Sequence, residues 1–133
     1  MHNNDGIERR CLTLWMEIVS ALEMRVSAVN GYVAKAKSHI TCELLSGKAV
    51  HIKHAAGGRS LIAALDLTEH SIQILKYHGS TLEEVESERK LLFSLLGDGE
   101  LYVTDGHQLL ADPGEVAKLL MSTLLVTRSS RMQ

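Results

Sequence analysis

Residues 39 to 77 contain four short apolar runs: His39-Ile40-Thr41-Cys42-Glu43-Leu44-Leu45, Ala49-Val50-His51-Ile52-Lys53-His54, Ser60-Leu61-Ile62-Ala63-Ala64-Leu65-Asp66-Leu67 and Ser71-Ile72-Gln73-Ile74-Leu75-Lys76-Tyr77. Turn-forming residues separate them at 46–48, 56–58 and 68–70. Runs of this length and punctuation are typical of strands in an antiparallel meander. In the first two runs apolar and polar residues alternate, so one sheet face should be buried and the other should meet water.

The third run leaves two interpretations open. Residues 61–65 are all apolar, and Ser60 could begin a short helix as well as Gly57-Gly58 could turn a hairpin. Because turn signals close the run on both sides, the sequence favours a strand over residues 60–67.

A helix is predicted directly after the meander, over residues 80–96. Ser80 stands three residues before Glu83, which is the spacing of a capping box. Leucines then recur at helical spacing, charged residues lie mainly on the opposite side, and Gly97 suits the end of the helix. We expect this helix to cover the buried face of the sheet.

Both ends of the chain carry further helix signals. Apolar residues recur every three or four positions from Ile7 to Val29, which predicts a long helix that begins with a cap at Asp5 and ends near Asn30-Gly31. Asp105-Gly106 between two apolar runs predicts a hairpin with a two-residue turn. Asp112-Pro113-Gly114-Glu115 then predicts a last helix, with an aspartate cap and proline at the first helical position.

Together these elements predict one α+β domain over residues 1–133. Its mainly antiparallel sheet, a meander plus a C-terminal hairpin, is covered by three helices in the order α-ββ(β)β-α-ββ-α. Residues 1–5 and 128–133 are expected to fray. With 133 residues, of which 45% are hydrophobic, the chain is long and apolar enough to bury a core.

The composition argues against several classes of protein. A net charge of −2 gives no general electrostatic case for nucleic-acid binding. No apolar run approaches the roughly 18 residues of a membrane span, and the first residues lack the basic region of a signal peptide. Cys11 and Cys42 are too few and too far apart for a disulfide framework, so we expect buried, reduced thiols in a cytoplasmic protein without a cofactor.

Catalysis and metal binding have little support in the sequence. The seven histidines stand in no His-Glu-x-x-His pattern, and there is no Cys-x-x-Cys pair or Gly-x-Ser-x-Gly elbow. We therefore predict no catalytic residue and no metal ligand, and an enzyme is the least favoured class.

One candidate ligand site is the stretch Gly57-Gly58-Arg59-Ser60, which would form an anion nest if Ser60 opened a helix. A small-ligand or phosphate-binding module is thus the alternative function, and a plain turn is the simpler reading of the stretch.

The first helix carries more apolar surface than a single sheet can cover. Leu12, Trp15, Met16 and Val19 spread this surface around the helix. Such surface indicates a homodimer interface or a groove for an apolar segment of a partner, whereas a well-covered core helix is the alternative. We predict a non-catalytic protein-binding domain, such as a small dimeric adaptor, that forms a homodimer or binds an apolar segment of a partner with some of these four residues in the interface.

Two families resemble parts of this pattern. In element order and chain length the chain resembles the small dimeric effector chaperones of bacterial type III secretion, which implies a homodimer that binds another protein. Residues 38–96 resemble the histidine-containing phosphocarrier family through Ser38-His39-Ile40-Thr41, Gly47-Lys48, Arg59-Ser60-Leu61-Ile62 and Gly79 with Glu83-Glu84. That family's Gly-Leu-His-Ala-Arg-Pro active site has no counterpart, because Gly6-Ile7-Glu8-Arg9-Arg10 lacks both His and Pro. Phosphocarrier activity is therefore not implied.

Overall fold

The computed structural model of the chain describes residues 3–32, 39–54, 56, 58–78, 84–110 and 112–125. In this part of the chain two helices flank seven strands. The elements are α1 (Asn3–Gly31), β1 (Ile40–Ser46), β2 (Ala49–His54), β3 (Arg59–Asp66), β4 (Ser71–His78), β5 (Val85–Leu95), β6 (Leu101–Thr104), β7 (Leu109–Leu110) and α2 (Pro113–Leu125).

The strands form one antiparallel sheet in which each strand pairs with its neighbours in sequence, in the order β1-β2-β3-β4-β5-β6-β7. The bounds of β1 to β4 lie within one residue of those of the four apolar runs. The run that left two interpretations open is the strand β3. Short turns between consecutive runs thus specify a meander here.

One face of the sheet, called here the inner face, carries the core. A residue and its direct cross-strand partner point to the same face, so the alternation in sequence becomes a continuous apolar layer. The pairs in this layer are Val50 with Ala63, Ile52 with Leu61, Ala63 with Ile74, Leu65 with Ile72, and Ile72 with Leu91. All of these residues are buried, and they belong to one hydrophobic cluster with side chains of both helices.

The prediction of a third helix over residues 80–96 is wrong. Residues 85–95 form β5, which pairs with β4 on one side and β6 on the other. The proposed cap at Ser80 and Glu83 lies outside the described residues. The described elements therefore follow the order of one helix, seven strands and one helix, in place of α-ββ(β)β-α-ββ-α with three helices.

Cross-strand partners explain why residues 85–95 are extended. Ile72 and Ile74 of β4 are buried, and β5 places Leu91 and Arg89 opposite them. Charged side chains that a helix would turn to solvent instead pair with other strands or turns: Lys76 with Glu86 at 3.7 Å, Arg89 with Asp105 at 3.6 Å, and Lys90 with Glu69 at 2.8 Å. Without β5, the backbone N–H and C=O groups on one side of β4 would have no strand to pair with, although β4 carries core residues. Tertiary pairing therefore outweighs the local helix signals.

The two helices begin and end largely as predicted. α1 starts at Asn3, two residues before the predicted cap, and ends at Gly31. There the Asn30 amide donates to the carbonyl of Ile40 and accepts from its N–H, both at 2.8 Å, which ties the helix end to β1. At the start of α2, the Asp112 carboxylate accepts the Glu115 N–H at 3.0 Å, as expected of a cap. The core stripe of α1 consists of Cys11, Trp15, Ile18, Leu22 and Val26.

The C-terminal hairpin pairs as predicted but has a different turn. The loop between β6 and β7 spans residues 105–108, so the prediction of a two-residue turn is wrong. The Asp105 carboxylate accepts the N–H of His107 at 2.8 Å and that of Gln108 at 3.0 Å. These bonds lower the pKa of Asp105. Gly106 has φ +98°, a conformation that an L side chain rarely adopts.

Candidate protein-binding surface

The four apolar residues predicted to bind a partner divide into two groups. Trp15 is 1% exposed and Val19 is 9% exposed, so both belong to the core. Leu12 is half-buried against the same core. Met16 is 61% exposed and points away from it. Of the four, Met16 is therefore the residue that a partner can reach directly.

Trp15 is buried by the hairpin between β1 and β2. Its indole N–H donates to the carbonyl of Gly47 at 3.0 Å, across a sequence separation of 32 residues. Since a buried indole N–H normally needs an acceptor, this bond fixes the hairpin tip against α1. The hairpin thereby covers the part of the helix that the inner face does not reach.

An open groove of about 180 Å³ runs between α1 and this hairpin. Trp15 and Val19 line it from the core side, and Met16 and Leu44 are exposed at its margin. Leu44 is 54% exposed, and the adjacent Leu45 is 48% exposed. The groove thus joins two exposed apolar side chains, one on each element. We call Met16, Leu44 and the groove between them, together with the adjacent Leu45, the α1–β1 surface.

β1 is an edge of the sheet, since it pairs with β2 only. In the described part of the chain no strand lies on its other side. Edge strands attract further chains unless proline, charge or a bulge blunts them. Over its seven residues β1 has no proline, one charged side chain at Glu43, and a bulge between Leu44 and Ser46 at its end. At its first residue, however, the backbone N–H and C=O of Ile40 are already bonded to the Asn30 amide, so only the part of β1 between Ile40 and the bulge is available for strand pairing.

Leu44 and Leu45 were not among the predicted interface residues. Two adjacent leucines in an alternating strand are a sequence signal of an exposed leucine, because consecutive strand residues normally point to opposite faces. In the structure Leu44 pairs with Val50 of the inner face, and the bulge between Leu44 and Ser46 interrupts the alternation at Leu45.

The proposed anion nest lacks the helix that it requires. Ser60 is the second residue of β3, so no helix N-terminus presents its N–H groups there. Gly57 lies outside the described residues, and Gly58 has φ +65°. The Arg59 guanidinium donates to the carbonyl of Leu125 at 3.2 Å, where it caps the C-terminal end of α2. Arg59 thus has a structural role at the end of a helix.

Glu43, His51 and Ser60 share the outer face of the sheet on three adjacent strands, but they form no catalytic relay. The His51 Nε2 and Ser60 Oγ atoms are buried and have no hydrogen-bond partner. A serine nucleophile needs a base within hydrogen-bond reach and access to substrate. Ser60 is 0% exposed. Among the described residues, no group of three or more His, Cys, Asp or Glu side chains could hold a metal ion.

The burial of His51 makes folding depend on pH. Burial, and next the charge of Lys53, lower the pKa of His51 below 6.5, against an opposing effect of Glu43. The unfolded chain therefore binds more protons than the folded chain as pH falls through the unfolded pKa. We expect stability to decrease from about pH 7 to about pH 5.5, and His51→Gln to make this decrease shallower. Urea titrations at several pH values measure it, with His78→Gln on the exposed end of β4 as the control. Identical pH slopes for wild type and His51→Gln would contradict this account.

Neither cysteine is activated for chemistry. Cys11 is buried and Cys42 is half-buried, and both are free thiols. Burial raises the pKa of each thiol, with further contributions from the charge of Glu8 at Cys11 and of Glu23 at Cys42. A catalytic cysteine needs the opposite shift, because the thiolate is the nucleophile.

No protein family, curated protein or solved structure matches the chain. No relative therefore bears on the resemblance to secretion chaperones or to phosphocarriers, and the element order behind the first resemblance included a helix that is absent from residues 85–95. Within the described segments, neither helix has the length and apolar character needed to cross a membrane. The α1–β1 surface remains the strongest indication of function.

Proposed function

We propose that the chain is a non-catalytic protein-binding domain that acts through the α1–β1 surface. The observation that carries this proposal is the exposure of Met16 and Leu44 on the two sides of one groove, with Leu45 next in sequence, along an edge strand that pairs only with β2 among the described strands. Contiguous apolar side chains on a protein surface commonly mark a contact site. Beyond Ile40, whose backbone groups are bonded to Asn30, the edge of β1 adds backbone donors and acceptors that can orient the partner.

Burying these side chains supplies part of the free energy that association requires. Complete burial of a leucine or methionine side chain contributes about 1.5–3 kcal/mol. Met16, Leu44 and Leu45 each retain about half of their surface in water. Burying that remainder on three side chains supplies about 2–4 kcal/mol, whereas the lost freedom of association costs at least about 4 kcal/mol, so the partner must make further contacts.

We infer a second copy of the chain as the first partner and an apolar segment of another protein as the second. A small homodimer of this kind would serve as an adaptor, and a secretion-chaperone-like adaptor is the more specific form of the proposal. The cytoplasm is the compartment that we assign, because Cys11 and Cys42 are both free.

The test compares two identical substitutions on α1. Met16 is 61% exposed on the α1–β1 surface, whereas Met24 is 71% exposed farther along the helix. We expect Met16→Glu to weaken association at least about tenfold, which corresponds to about 1.4 kcal/mol, and Met24→Glu to change it much less. Sedimentation over a range of concentrations measures self-association, and circular dichroism checks that both variants are folded.

Two results would count against the proposal. One is a folded wild-type chain that stays monomeric at every concentration and captures no other protein. The other is a Met16→Glu variant that associates as strongly as the wild type, because an interface position must lose affinity when a charge is buried there.

A further inference from the structure

The groove of the α1–β1 surface has the size of one large apolar side chain. Its volume is about 180 Å³, with Trp15 and Val19 on its core side and Met16 and Leu44 exposed at its margin. An apolar cavity of about 150 Å³ holds one benzene molecule. The groove therefore accepts one side chain of the size of leucine or phenylalanine.

Among the described residues that line this groove, Glu23 is the one that carries a charge. Glu23 is exposed, and no described residue forms a salt bridge or a hydrogen bond with it. Burial, and next the charge of Glu23, raise the pKa of Cys42, so this carboxylate lies near Cys42 on the inner face of β1. The exposed Lys48 at the hairpin tip is outside the lining of the groove. A ligand in the groove therefore meets a negative charge beside Cys42.

The bonds between Asn30 and Ile40 show which backbone groups of β1 point outward. The Ile40 N–H and C=O both bond the Asn30 amide, away from β2. In an antiparallel ladder both backbone groups of a residue point to the same side, and the side alternates from residue to residue. Cys42 and Leu44 therefore also direct their backbone groups outward, where no residue of the described part of the chain bonds them. These two residues are available to an extended segment of a partner.

We propose that the α1–β1 surface binds an extended segment of another protein in which a large apolar residue precedes a basic residue by two positions. The inference rests on the proposed function and names the chemistry of its partner. The apolar side chain fills the groove, and the basic side chain lies beside Glu23. The segment pairs with Cys42 and Leu44 and leaves the edge before Ile40, whose backbone groups are already bonded.

The order and the spacing of the two residues follow from strand geometry. An antiparallel segment, like every strand pair of this sheet, runs opposite to β1. The residue opposite Leu44 therefore comes first, and the residue opposite Cys42 comes two positions later. Directly opposed residues point to the same face, so both side chains reach the inner face. The residue between them points to the outer face.

Fluorescently labelled synthetic peptides test this pattern by anisotropy against the full chain. The probe is Thr-Thr-Leu-Thr-Arg-Thr-Thr. A control of the same composition, Thr-Thr-Leu-Arg-Thr-Thr-Thr, puts arginine on the opposite face of the segment from leucine. Two more controls replace leucine by alanine or arginine by glutamate. We expect alanine to weaken binding at least about tenfold, and glutamate or the shifted arginine at least about threefold.

A charge reversal on the protein tests the role of Glu23. In Glu23→Lys we expect the glutamate peptide to bind more tightly than the arginine peptide, because the charge beside the second side chain has changed sign. Glu17→Lys makes the same change at an exposed position of α1 that lines a different pocket, and should leave the order of the peptides unchanged. Added salt should reduce the difference between the two peptides in the wild type. Circular dichroism checks that both variants are folded.

The outcomes separate the chemistry of the partner from the proposed function. Equal affinities for the arginine and glutamate peptides, an order that Glu23→Lys does not change, or equal binding of the shifted control would overturn the inference. If no peptide binds at up to about 1 mM while Met16→Glu still weakens self-association, the occupant is a second copy. The inference would then fail and the protein-binding proposal would stand. A chain that binds no peptide, stays monomeric and captures no protein would overturn both.

Discussion

Replacing Leu91 by alanine is expected to lower the free energy of unfolding by about 2–5 kcal/mol, whereas replacing Leu92 by alanine should cost less than about 1 kcal/mol. Leu91 is 0% exposed and lies opposite Ile72 on the inner face. Leu92 is 44% exposed on the outer face. Urea titration followed by the fluorescence of Trp15, the single tryptophan, measures both variants in the same way.

This pair of neighbouring leucines distinguishes a strand from a helix. In a helix over residues 80–96 both leucines would belong to one apolar stripe, and both substitutions would be costly. In a strand, consecutive residues point to opposite faces, so only one of the two is costly. Similar losses for the two variants would contradict the assignment of β5.

The sequence was sufficient to predict the meander because each of its strands is delimited locally. β1 and β2 alternate apolar and polar residues, and turn residues separate consecutive strands. The cap at Asp112 and the long stripe of α1 are also local patterns, and both predicted helices are present. In these segments the local preference and the tertiary structure agree, as expected of a sequence that folds to one state.

β5 was mispredicted as a helix because the spacing of its leucines fits both the periodicity of a helix and that of a strand. Leu91 and Leu95 are four residues apart, a spacing that is close to one helical turn and is also an even number of strand residues. Only the additional Phe93 between them favours a strand, since Leu91, Phe93 and Leu95 then share the inner face. What decides the conformation of residues 85–95 is the pairing of their backbone with the edge of β4. This edge exists only in the assembled sheet, so residues 85–95 themselves carry no sequence signal of it.

The exposed surface of α1 could be predicted only in part, because it too depends on a segment that is distant in sequence. Its excess of apolar residues was visible in the sequence, but the cover over Trp15 and Val19 comes from the β1–β2 hairpin, about thirty residues farther along. The structure therefore reduces the accessible part of the predicted interface to Met16 and adds Leu44 and Leu45 from the strand edge. The interface hypothesis stays a proposal, now for a smaller and better defined surface.

Replacing Trp15 by alanine is expected to lower the free energy of unfolding by about 3–5 kcal/mol, because the residue is 1% exposed and fills the core between α1 and the hairpin. Trp15→Phe is the matched control: it keeps an aromatic ring but cannot donate to the Gly47 carbonyl, so we expect a smaller loss of about 1–2 kcal/mol. Urea titration followed by circular dichroism measures both, since each variant removes the only tryptophan.

These two variants also test whether Trp15 belongs to the core or to the interface. A core residue acts on binding only through the fold, so Trp15→Phe should associate almost as strongly as the wild type once it is folded. If Trp15→Ala were as stable as the wild type and failed to associate, Trp15 would instead be an interface residue that a partner covers. Because the Trp15 indole N–H fixes the hairpin that carries Gly47, we expect Trp15 to behave as a core residue. The free energy of unfolding should then fall from the wild type to Trp15→Phe and further to Trp15→Ala, and Trp15→Phe should still associate.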